Sequence, residues 1–325
     1  MDDWYTTREV PRLVIKGLTY RQTGEVQAVD FKVGNTGEVD GVVSVIEAFS
    51  DDYGKWIIGD WRSFPVKPGE YKRIVAHEVN GYSFFLSTNF SRRVPERIEF
   101  HGTSLWKGDI PAERVVPLDK NQFYPPGEII VDNEDKGFHL IDSSGNRLKR
   151  LAEQLAEDYM KDYNYGINAK KHTWGKPCIE VEFYGEEVHS AFTKVAGNGS
   201  FRAEWIANLP EAGRYEIFVY LPDVRDGDAL YTYESKYPGM KNYYTVDTPG
   251  GSEKVEREVA KGDADWVSLG TFVLPAGESR VVLDDRGSPP IDDDEEYTRE
   301  VVSIGGGDKH AQLVVADAVK WVKVK

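Results

Sequence analysis

Residues 199–224 read GSFRAEWIANLPEAGRYEIFVYLPDV, and the same kind of sequence returns as YYTVDTPGG at 243–251, DWVSLGTFVLPAGESRVVLDD at 265–285 and HAQLVVADAVKWVKVK at 310–325. Short strand-like runs alternate with Pro-Gly, Ala-Gly and Gly-Gly turn residues. This alternation is typical of the antiparallel strands of a β-sandwich. The last third of the chain therefore predicts a sandwich of the jelly-roll kind.

The composition limits the classes of partner. The chain has 325 residues, with 40 basic against 55 acidic side chains and a net charge of −15. Phosphate binding needs clustered Lys and Arg, so we predict no nucleic acid partner. A strongly anionic polysaccharide is also disfavoured, unless a local basic patch or a bridging cation intervenes; neutral sugars and proteins remain open. Because no run reaches 18 apolar residues, no membrane insertion is expected.

The chain is long enough for two domains. Residues 1–118 contain six or seven strand-like runs at a spacing of roughly ten residues, which predicts an immunoglobulin-like β-sandwich. Residues 119–128, DKNQFYPPGE, contain two consecutive prolines and predict a short, stiff linker. Residues 129–325 are predicted to form the second β-sandwich, so the fold class is all-β.

One helix is predicted in the second domain, at residues 146–162. An apolar stripe with three- and four-residue steps runs through this segment, formed by Leu148, Leu151, Leu155 and Tyr159. Ser143, Ser144 and Asn146 are suitable N-cap residues. We interpret this helix as an insertion between strands, and it could serve as a surface for a partner.

Four phrases, in order, carry a family resemblance: VDNEDKGF at 131–138, AGRYEIFVYLP at 212–222, WVSLGTFVLPAG at 266–277 and VVADAVKW at 314–321. Together they resemble the golvesin C-terminal-like domain, also described as the xanthan-lyase carbohydrate-binding-like domain, over residues 129–325. The resemblance implies a jelly-roll or galactose-binding-like sandwich. It also implies a non-catalytic module of a large exported bacterial protein. Residues 30–41, DFKVGNTGEVDG, resemble one hairpin of bacterial adhesion-type immunoglobulin-like domains.

Motifs for hydrolytic chemistry are missing from the sequence. There is no Gly-x-Ser-x-Gly elbow, no His-Glu-x-x-His, no Cys-x-x-Cys pair and no phosphate-binding glycine loop. The six histidines are scattered without metal-ligand spacing. We therefore expect no enzyme. A lyase or hydrolase stays open as a third hypothesis, because the separation of two catalytic carboxylates is a tertiary property.

Aromatic side chains gather between residues 230 and 244 and suggest a sugar site. Flat rings stack on the C–H faces of pyranoses, and carboxylates hold hydroxyl groups. The candidate ligand-binding residues are Asp228, Tyr231, Tyr233, Tyr237 and Tyr243, with Trp174 as a second platform. The alternative is that these rings only pack in strands and loops.

Two acidic runs could supply oxygen ligands for Ca²⁺. The candidate residues are Asp132 and Asp135 in the first run, and Asp292 and Asp294 in the second. Neither run has the alternating spacing and glycine of a dedicated calcium loop, and acidic runs usually form solvated turns. We expect no cofactor, with Ca²⁺ as the exception to test.

Asp317 lies in a strand-like run in which Leu313, Val315, Asp317, Val319 and Trp321 would share one face by a period of two. Because burying a bare carboxylate is costly, Asp317 is expected to accept hydrogen bonds in a structural role or to help hold a cation.

Three further side chains are predicted to pack. Trp56 and Trp61 in the first domain are expected to pack, either by covering a sandwich edge or by meeting the second domain. The single cysteine, Cys178, cannot form an intrachain disulfide and is expected to be an inert thiol, which favours a bacterial source.

The sequence favours two functions. The first is a non-catalytic accessory module of a secreted or cell-surface bacterial protein that binds glycan. The alternative is a structural or protein-docking module of a larger surface complex. The opening MDDWYTTREV lacks the features of a signal peptide, so we expect that the export signal is absent from this chain.

Overall fold

The computed structural model of the protein describes residues 9–23, 26–50, 56–79, 83–101, 110–142, 163–165, 169, 173–180, 183–222, 241–258, 265–287 and 313–324. The chain divides into two compact units, Met1–Pro126 with Glu186–His189, and Gly127–Gly185 with Ser190–Lys325. Regular structure in the described residues is almost entirely β-strand, which confirms the all-β prediction. None of the helices within these residues is long and apolar enough to cross a membrane.

The described part of the first unit contains eight strands: β1 Leu13–Thr23, β2 Val26–Asn35, β3 Gly41–Ser50, β4 Trp56–Val66, β5 Tyr71–Val79, β6 Ser83–Ser87, β7 Arg97–His101 and β8 Arg114–Leu118. They form two antiparallel sheets, ordered β1-β2-β5-β8 and β4-β3-β6-β7. In β2, Val29, Phe31 and Val33 share one face and are fully buried. The immunoglobulin-like classification stays a prediction, and the β4-β3-β6-β7 order supports it.

Trp61 corrects one prediction about this unit. Residues 56–66 form strand β4 at the edge of its sheet, and Trp61 lies on the outward side with 67% of its surface exposed. The expectation that Trp61 packs against a sandwich edge is therefore wrong. The sequence pattern suggested an isolated packing group of aromatic residues, whereas Trp61 and Phe64 lie on opposite faces of the strand.

The predicted linker contains a short helix, α1, at Lys120–Phe123. Its first turn is closed by Gln122, whose side-chain Oε1 accepts a hydrogen bond from the Asp119 amide at 2.8 Å. Phe123 is buried and lies 4.9 Å from the Tyr71 ring, measured between centroids. The segment is thus ordered by its own contacts with the first unit.

The described part of the second unit contains thirteen strands: β9 Glu128–Val131, β10 Phe138–Asp142, β11 Asn164–Tyr165, β12 Cys178–Ile179, β13 Ser190–Val195, β14 Phe201–Leu209, β15 Gly213–Leu221, β16 Lys241–Thr248, β17 Gly251–Glu258, β18 Asp265–Leu274, β19 Gly277–Asp284, β20 Leu313–Ala316 and β21 Val319–Lys323. They form a five-stranded sheet, β10-β14-β19-β16-β17, and two four-stranded sheets, β18-β15-β21-β9 and β11-β12-β13-β20. The predicted helix at 146–162 lies outside the described residues.

A large hydrophobic core lies between the sheets of the second unit, and a smaller cluster surrounds Cys178, Phe183 and Ala191. Alternate residues of β14, β15, β16 and β19 point into the large core, as the sequence of each strand requires. Two tryptophans buried in this core each donate a hydrogen bond from the indole N–H. Trp205 Nε1 donates to the Asp317 carbonyl oxygen and Trp321 Nε1 donates to Ser279 Oγ, each at 3.0 Å. Burial of the inner faces leaves the outer faces of the sheets to carry any binding site.

The prediction that the alternate residues from Leu313 to Trp321 share one face is wrong, because the strand is interrupted at Asp317. β20 ends at Ala316 and β21 begins at Val319, and the two strands pair in different sheets. Val314 and Ala316 contribute to the core before the break, and Val319 and Trp321 contribute after it. The two intervening residues change the parity, so Val315 does not share a face with Val319 and Trp321 as the uninterrupted pattern predicted.

Candidate functional site

A polar groove lies on the outer face of the five-stranded sheet. It has a volume of about 490 Å³ and is lined by residues of β14, β16, β17 and β19 and by the loop around Asn198 and Gly199. Because successive side chains of a strand point to opposite faces, these residues lie on the face of the sheet that is turned away from the core. In β14, Ala203 and Trp205 are buried, while Arg202 and Glu204 between and beside them face the groove. The groove is therefore built on rigid backbone.

The antiparallel register arranges the outer side chains in rows across the strands. The first row runs from Arg202 through Asp284 and Tyr243 to Glu256. The next row runs from Glu204 through Val282 and Thr245 to Lys254. Adjacent strands are about 4.8 Å apart, so each row spans roughly 14 Å. This length suits an extended ligand of several sugar units better than a single small molecule.

An ion-pair network occupies one end of the groove. Arg280 Nε donates to Asp247 Oδ2 at 2.7 Å, and Ser252 Oγ donates to Asp247 Oδ1 at 2.7 Å. Arg280 Nη1 also lies 3.7 Å from Glu204 Oε1. Burial raises the pKa of Asp247, but the hydrogen bonds from Ser252 and Arg280 outweigh it and hold that pKa below its usual value. The carboxylate is thus fixed in its ionised form.

A second pair lies beside Tyr243. Arg286 donates from Nε to Asp284 Oδ1 at 2.8 Å and from Nη2 to Asp284 Oδ2 at 2.6 Å, and these bonds raise the pKa of Arg286. The guanidinium carbon lies 4.7 Å from the centroid of the Tyr243 ring. Tyr243 is half-buried, directly opposite Asp284 on the neighbouring strand. Arg286 therefore holds both a carboxylate and an aromatic ring in place.

The loop at the end of the groove is tied to Asp285, which is completely buried. Asp285 Oδ1 accepts from the Gly199 amide at 2.7 Å and from the Phe201 amide at 3.3 Å, and its carbonyl oxygen accepts from the Gly197 amide. Gly199 has φ +90°, a conformation that favours glycine. The loop is thus fixed before any ligand binds.

A separate group of half-buried aromatic side chains lies where β15 and β18 pair. The rings of Tyr184, Tyr220 and Trp266 are 5.1–5.6 Å apart between centroids, in tilted or edge-to-face contact. Lys320 Nζ lies 4.6 Å from the Trp266 ring and 5.1 Å from the Phe218 ring. Because these rings contact one another and a lysine, they are engaged in packing to a greater degree than Tyr243.

Two of the six predicted sugar-binding residues, Tyr243 and Trp174, lie within the described part of the chain. Tyr243 lies beside the groove, but its neighbour Tyr244 is a core residue. Trp174 is only 8% exposed and belongs to the core, so its ring is not the exposed platform that the sequence suggested. The remaining candidates, Asp228, Tyr231, Tyr233 and Tyr237, lie outside the described residues.

The first acidic run forms a turn. Asp132 Oδ1 accepts from the Asn133 amide at 2.7 Å, and Asp135 Oδ2 accepts from the Asp132 amide at 2.8 Å. In the part of the chain that is described, no group of three or more His, Cys, Asp or Glu side chains is placed to hold a metal ion. Asp292 and Asp294, the other Ca²⁺ candidates, lie outside it.

Asp317 is 2% exposed, and its Oδ2 accepts a hydrogen bond from the Tyr184 amide at 3.0 Å. Burial raises its pKa well above the usual value, and the negative charge of Asp132 raises it further. The structural role expected from the sequence agrees with this contact.

The thiol of Cys178 is also buried and points at the Ala191 carbonyl oxygen, 3.3 Å away.

Sequence reasoning missed the charged residues of the groove. Arg202, Glu204, Arg280 and Asp284 are single polar positions within strands that were interpreted only by their apolar alternation. The signal that could have found them is the concentration of charge on the outward positions of two paired strands. Without the pairing of β14 with β19, that concentration is not visible.

Residues 158–293 match the family model of the Golvesin C-terminal domain, which confirms the predicted resemblance over that part of the chain. Among solved structures, a xanthan lyase from Paenibacillus matches with 15% identity and a TM-score of 0.37, covering 96% of this chain and 26% of the lyase. This chain therefore spans about a quarter of the length of that enzyme. No curated protein sequence matches.

Two further solved structures match this chain at low identity. A carbohydrate-binding module of the β-sandwich superfamily matches with 11% identity and a TM-score of 0.21, covering 98% of this chain and 100% of the module. A cycloisomaltooligosaccharide glucanotransferase from Paenibacillus matches with 8% identity and a TM-score of 0.26, covering 94% of this chain and 72% of the enzyme.

Proposed function

We propose, from the Golvesin C-terminal domain match at residues 158–293, that this chain is a non-catalytic glycan-binding module of a secreted or cell-surface bacterial protein. The polar groove of the second unit is its binding site. The observation that carries the proposal is the placement of fixed ionic donors and acceptors beside an aromatic ring, on the outward face of one rigid sheet.

The groove has the chemistry that sugar hydroxyl groups require. Asp247 and Asp284 are held by Arg280 and Arg286, so their orientations are set before a ligand arrives. Preorganised polar groups lose little conformational entropy on binding, which favours recognition of hydroxyl pairs. Tyr243 adds an aromatic surface at the edge, and Arg286 covers one of its faces. We therefore expect modest affinity per site, since sugars exchange water hydrogen bonds for protein ones.

The chain is proposed to bind glycan without cleaving it. The sequence carries none of the motifs for nucleophilic or metal-assisted hydrolysis, and a groove that uses its carboxylates in ion pairs is suited to holding a chain. Incubation with a polysaccharide panel, followed by assays for reducing ends and unsaturated products, tests this part. Product formation that scales with protein concentration would show that the chain is an enzyme.

Affinity electrophoresis and titration calorimetry against a panel of neutral and acidic polysaccharides test the binding. We expect retardation by at least one polysaccharide and loss of that retardation in Asp247→Ala. The control is Arg214→Gln, an exposed position of β15 on another sheet, which should behave as the unaltered protein. Absence of binding to every member of the panel would refute the proposal.

Protein docking through the first unit is a second candidate. Two of its aromatic side chains are largely in solvent, Trp61 with 67% and Phe90 with 82% of the surface exposed, and β4 is an edge strand. Sedimentation velocity of the unaltered chain and of Trp61→Ser would test docking to a second copy. Concentration-dependent association that disappears in the variant supports it, and a monomer at all concentrations argues against it.

A further inference from the structure

The charge of the groove differs from that of the whole chain. Its twelve lining residues include four cations, Arg202, Lys254, Arg280 and Arg286, against three carboxylates, which gives a local charge of +1. The chain as a whole carries −15. A locally cationic surface on an acidic protein concentrates an anionic partner there and repels it elsewhere.

Two arginines hold the three carboxylates that line the groove. Asp247 is held by Arg280, which also lies 3.7 Å from Glu204, and Asp284 is held at both oxygens by Arg286. Two cations are left over. Within the described residues, neither Arg202 nor Lys254 has a carboxylate at ion-pair distance, and both side chains are exposed.

Among the described residues, the carboxylate nearest to Arg202 in the sheet is already held by another arginine. It faces Asp284 across β14 and β19, but Arg286 occupies both oxygens of that carboxylate, with bonds of 2.8 and 2.6 Å. A guanidinium presents a rigid fork of donors that matches an oxyanion in two places. Within the described part of the chain, no carboxylate is paired with the Arg202 guanidinium, which lies on the outer face of the sheet.

Lys254 lies at the other side of the groove, on β17. It faces Thr245, and the nearby Glu256 is paired with Lys241 at 2.9 Å. Arg202 and Lys254 are three strand spacings apart and lie in neighbouring rows, so their backbones are about 16 Å apart. Two exposed cations at that separation bracket a chain of a few sugars, with an anion near either end.

We propose that the ligand of the groove is an acidic glycan, and that Arg202 binds an oxyanion carried on a sugar ring while Lys254 attracts a second one. This inference rests on the proposed function and specifies its ligand class. Uronic acid carboxylates and sulfate esters share the oxyanion that a guanidinium recognises. The experiment distinguishes these two sources.

The test uses matched pairs of oligosaccharides with the full chain. Uronate oligosaccharides, from galacturonan, alginate and hyaluronan, are compared with their carboxyl-reduced forms, and sulfated oligosaccharides are compared with their desulfated forms. Calorimetry should show at least one acidic member that binds at least tenfold more tightly than its neutral counterpart. Arg202→Gln should reduce that preference to less than threefold, and Arg214→Gln should leave it unchanged.

Each outcome has a definite meaning. Loss of affinity on carboxyl reduction identifies a uronate, and loss on desulfation identifies a sulfated glycan; either supports the inference when Arg202→Gln abolishes the preference. Equal binding of acidic and neutral members, or binding of neutral members alone, overturns the inference and leaves glycan binding intact. A chain that binds no oligosaccharide of either kind overturns both. An acidic preference that persists in Arg202→Gln also overturns the inference, because it places the oxyanion elsewhere.

Discussion

Lys194 and Asp285 form an ion pair inside the second unit, with Lys194 Nζ 2.9 Å from Asp285 Oδ2 and each side chain only 1% exposed. Lys194 Nζ also lies 4.5 Å from the centroid of the Phe201 ring. Asp285 in turn accepts the backbone amides that shape the loop at the end of the groove. The buried pair therefore links the interior of the sandwich to the geometry of the binding surface.

Removing one member of this pair should be strongly destabilising. Asp285→Asn removes the carboxylate charge that lies against the buried Lys194 ammonium, and the expected loss is about 3–5 kcal/mol in the free energy of unfolding. Urea denaturation followed by tryptophan fluorescence measures it. The control is Asp247→Asn, which removes an exposed ion pair and should cost less than about 1 kcal/mol. Equal effects of the two variants would contradict a special role for the buried pair.

Gly197 lies against the same carboxylate. A Cβ atom at this position would come within 2.2 Å of Asp285 Oδ2 and 3.0 Å of its Cγ, and Asp285 cannot retreat because Lys194 and two backbone amides hold it. Gly197→Ala is expected to cost about 1–3 kcal/mol of unfolding free energy. Thermal denaturation measures the change. Gly250→Ala is the matched control, because its nearest atom would be Thr248 Oγ1 at 3.8 Å; a stable Gly197→Ala protein would show that the loop can rearrange.

Tyr243 is a predicted sugar-binding residue, and its ring lies beside the groove against Arg286. Tyr243→Ala removes the ring beside Asp284 and releases Arg286 from its contact with that ring. We expect glycan affinity to fall by roughly 5- to 20-fold, since a ring contact contributes about 1–2 kcal/mol. Calorimetry with the best polysaccharide of the panel measures the loss. The comparison is Trp61→Ala in the first unit, which should bind as the unaltered protein does; unchanged binding by Tyr243→Ala would remove Tyr243 from the site.

The sequence was sufficient to predict the all-β architecture because the signal is local. Strand alternation and turn residues are written in neighbouring positions, as in β14 and β15, where every second residue is buried. The family resemblance also depends on local phrases, and the match at residues 158–293 confirms it there. Such features require no knowledge of which strands pair.

The groove could not be predicted because its residues meet only through pairing. Arg202 and Asp284 are 82 positions apart in the sequence and become neighbours when β14 pairs with β19. Trp174 failed as a platform for a similar reason, since its burial depends on strands that follow it in the chain. Asp317 was placed on an apolar face by extending one period of two through a position where the chain changes sheets.

Asp317 should make the stability of the second unit depend on pH. Its pKa is raised by burial and by the charge of Asp132, so the folded state holds the proton to a higher pH than the unfolded state does. The contribution of the protonated carboxyl is fully present below the unfolded pKa, and stability is lost as pH rises from there through the folded pKa. Above that pH, the folded state carries a buried charge at a constant cost.

Asp317→Asn tests this linkage, because the amide keeps an oxygen for the Tyr184 N–H and cannot ionise. The variant should be more stable than the unaltered protein at pH 8, and the difference should shrink as the pH is lowered towards 4. Asp317→Leu, which leaves the Tyr184 amide without an acceptor, should instead be less stable at both pH values by about 1–3 kcal/mol. Urea denaturation at several pH values measures both. A constant difference between Asp317→Asn and the unaltered protein across this range would mean that the carboxyl does not titrate differently in the two states.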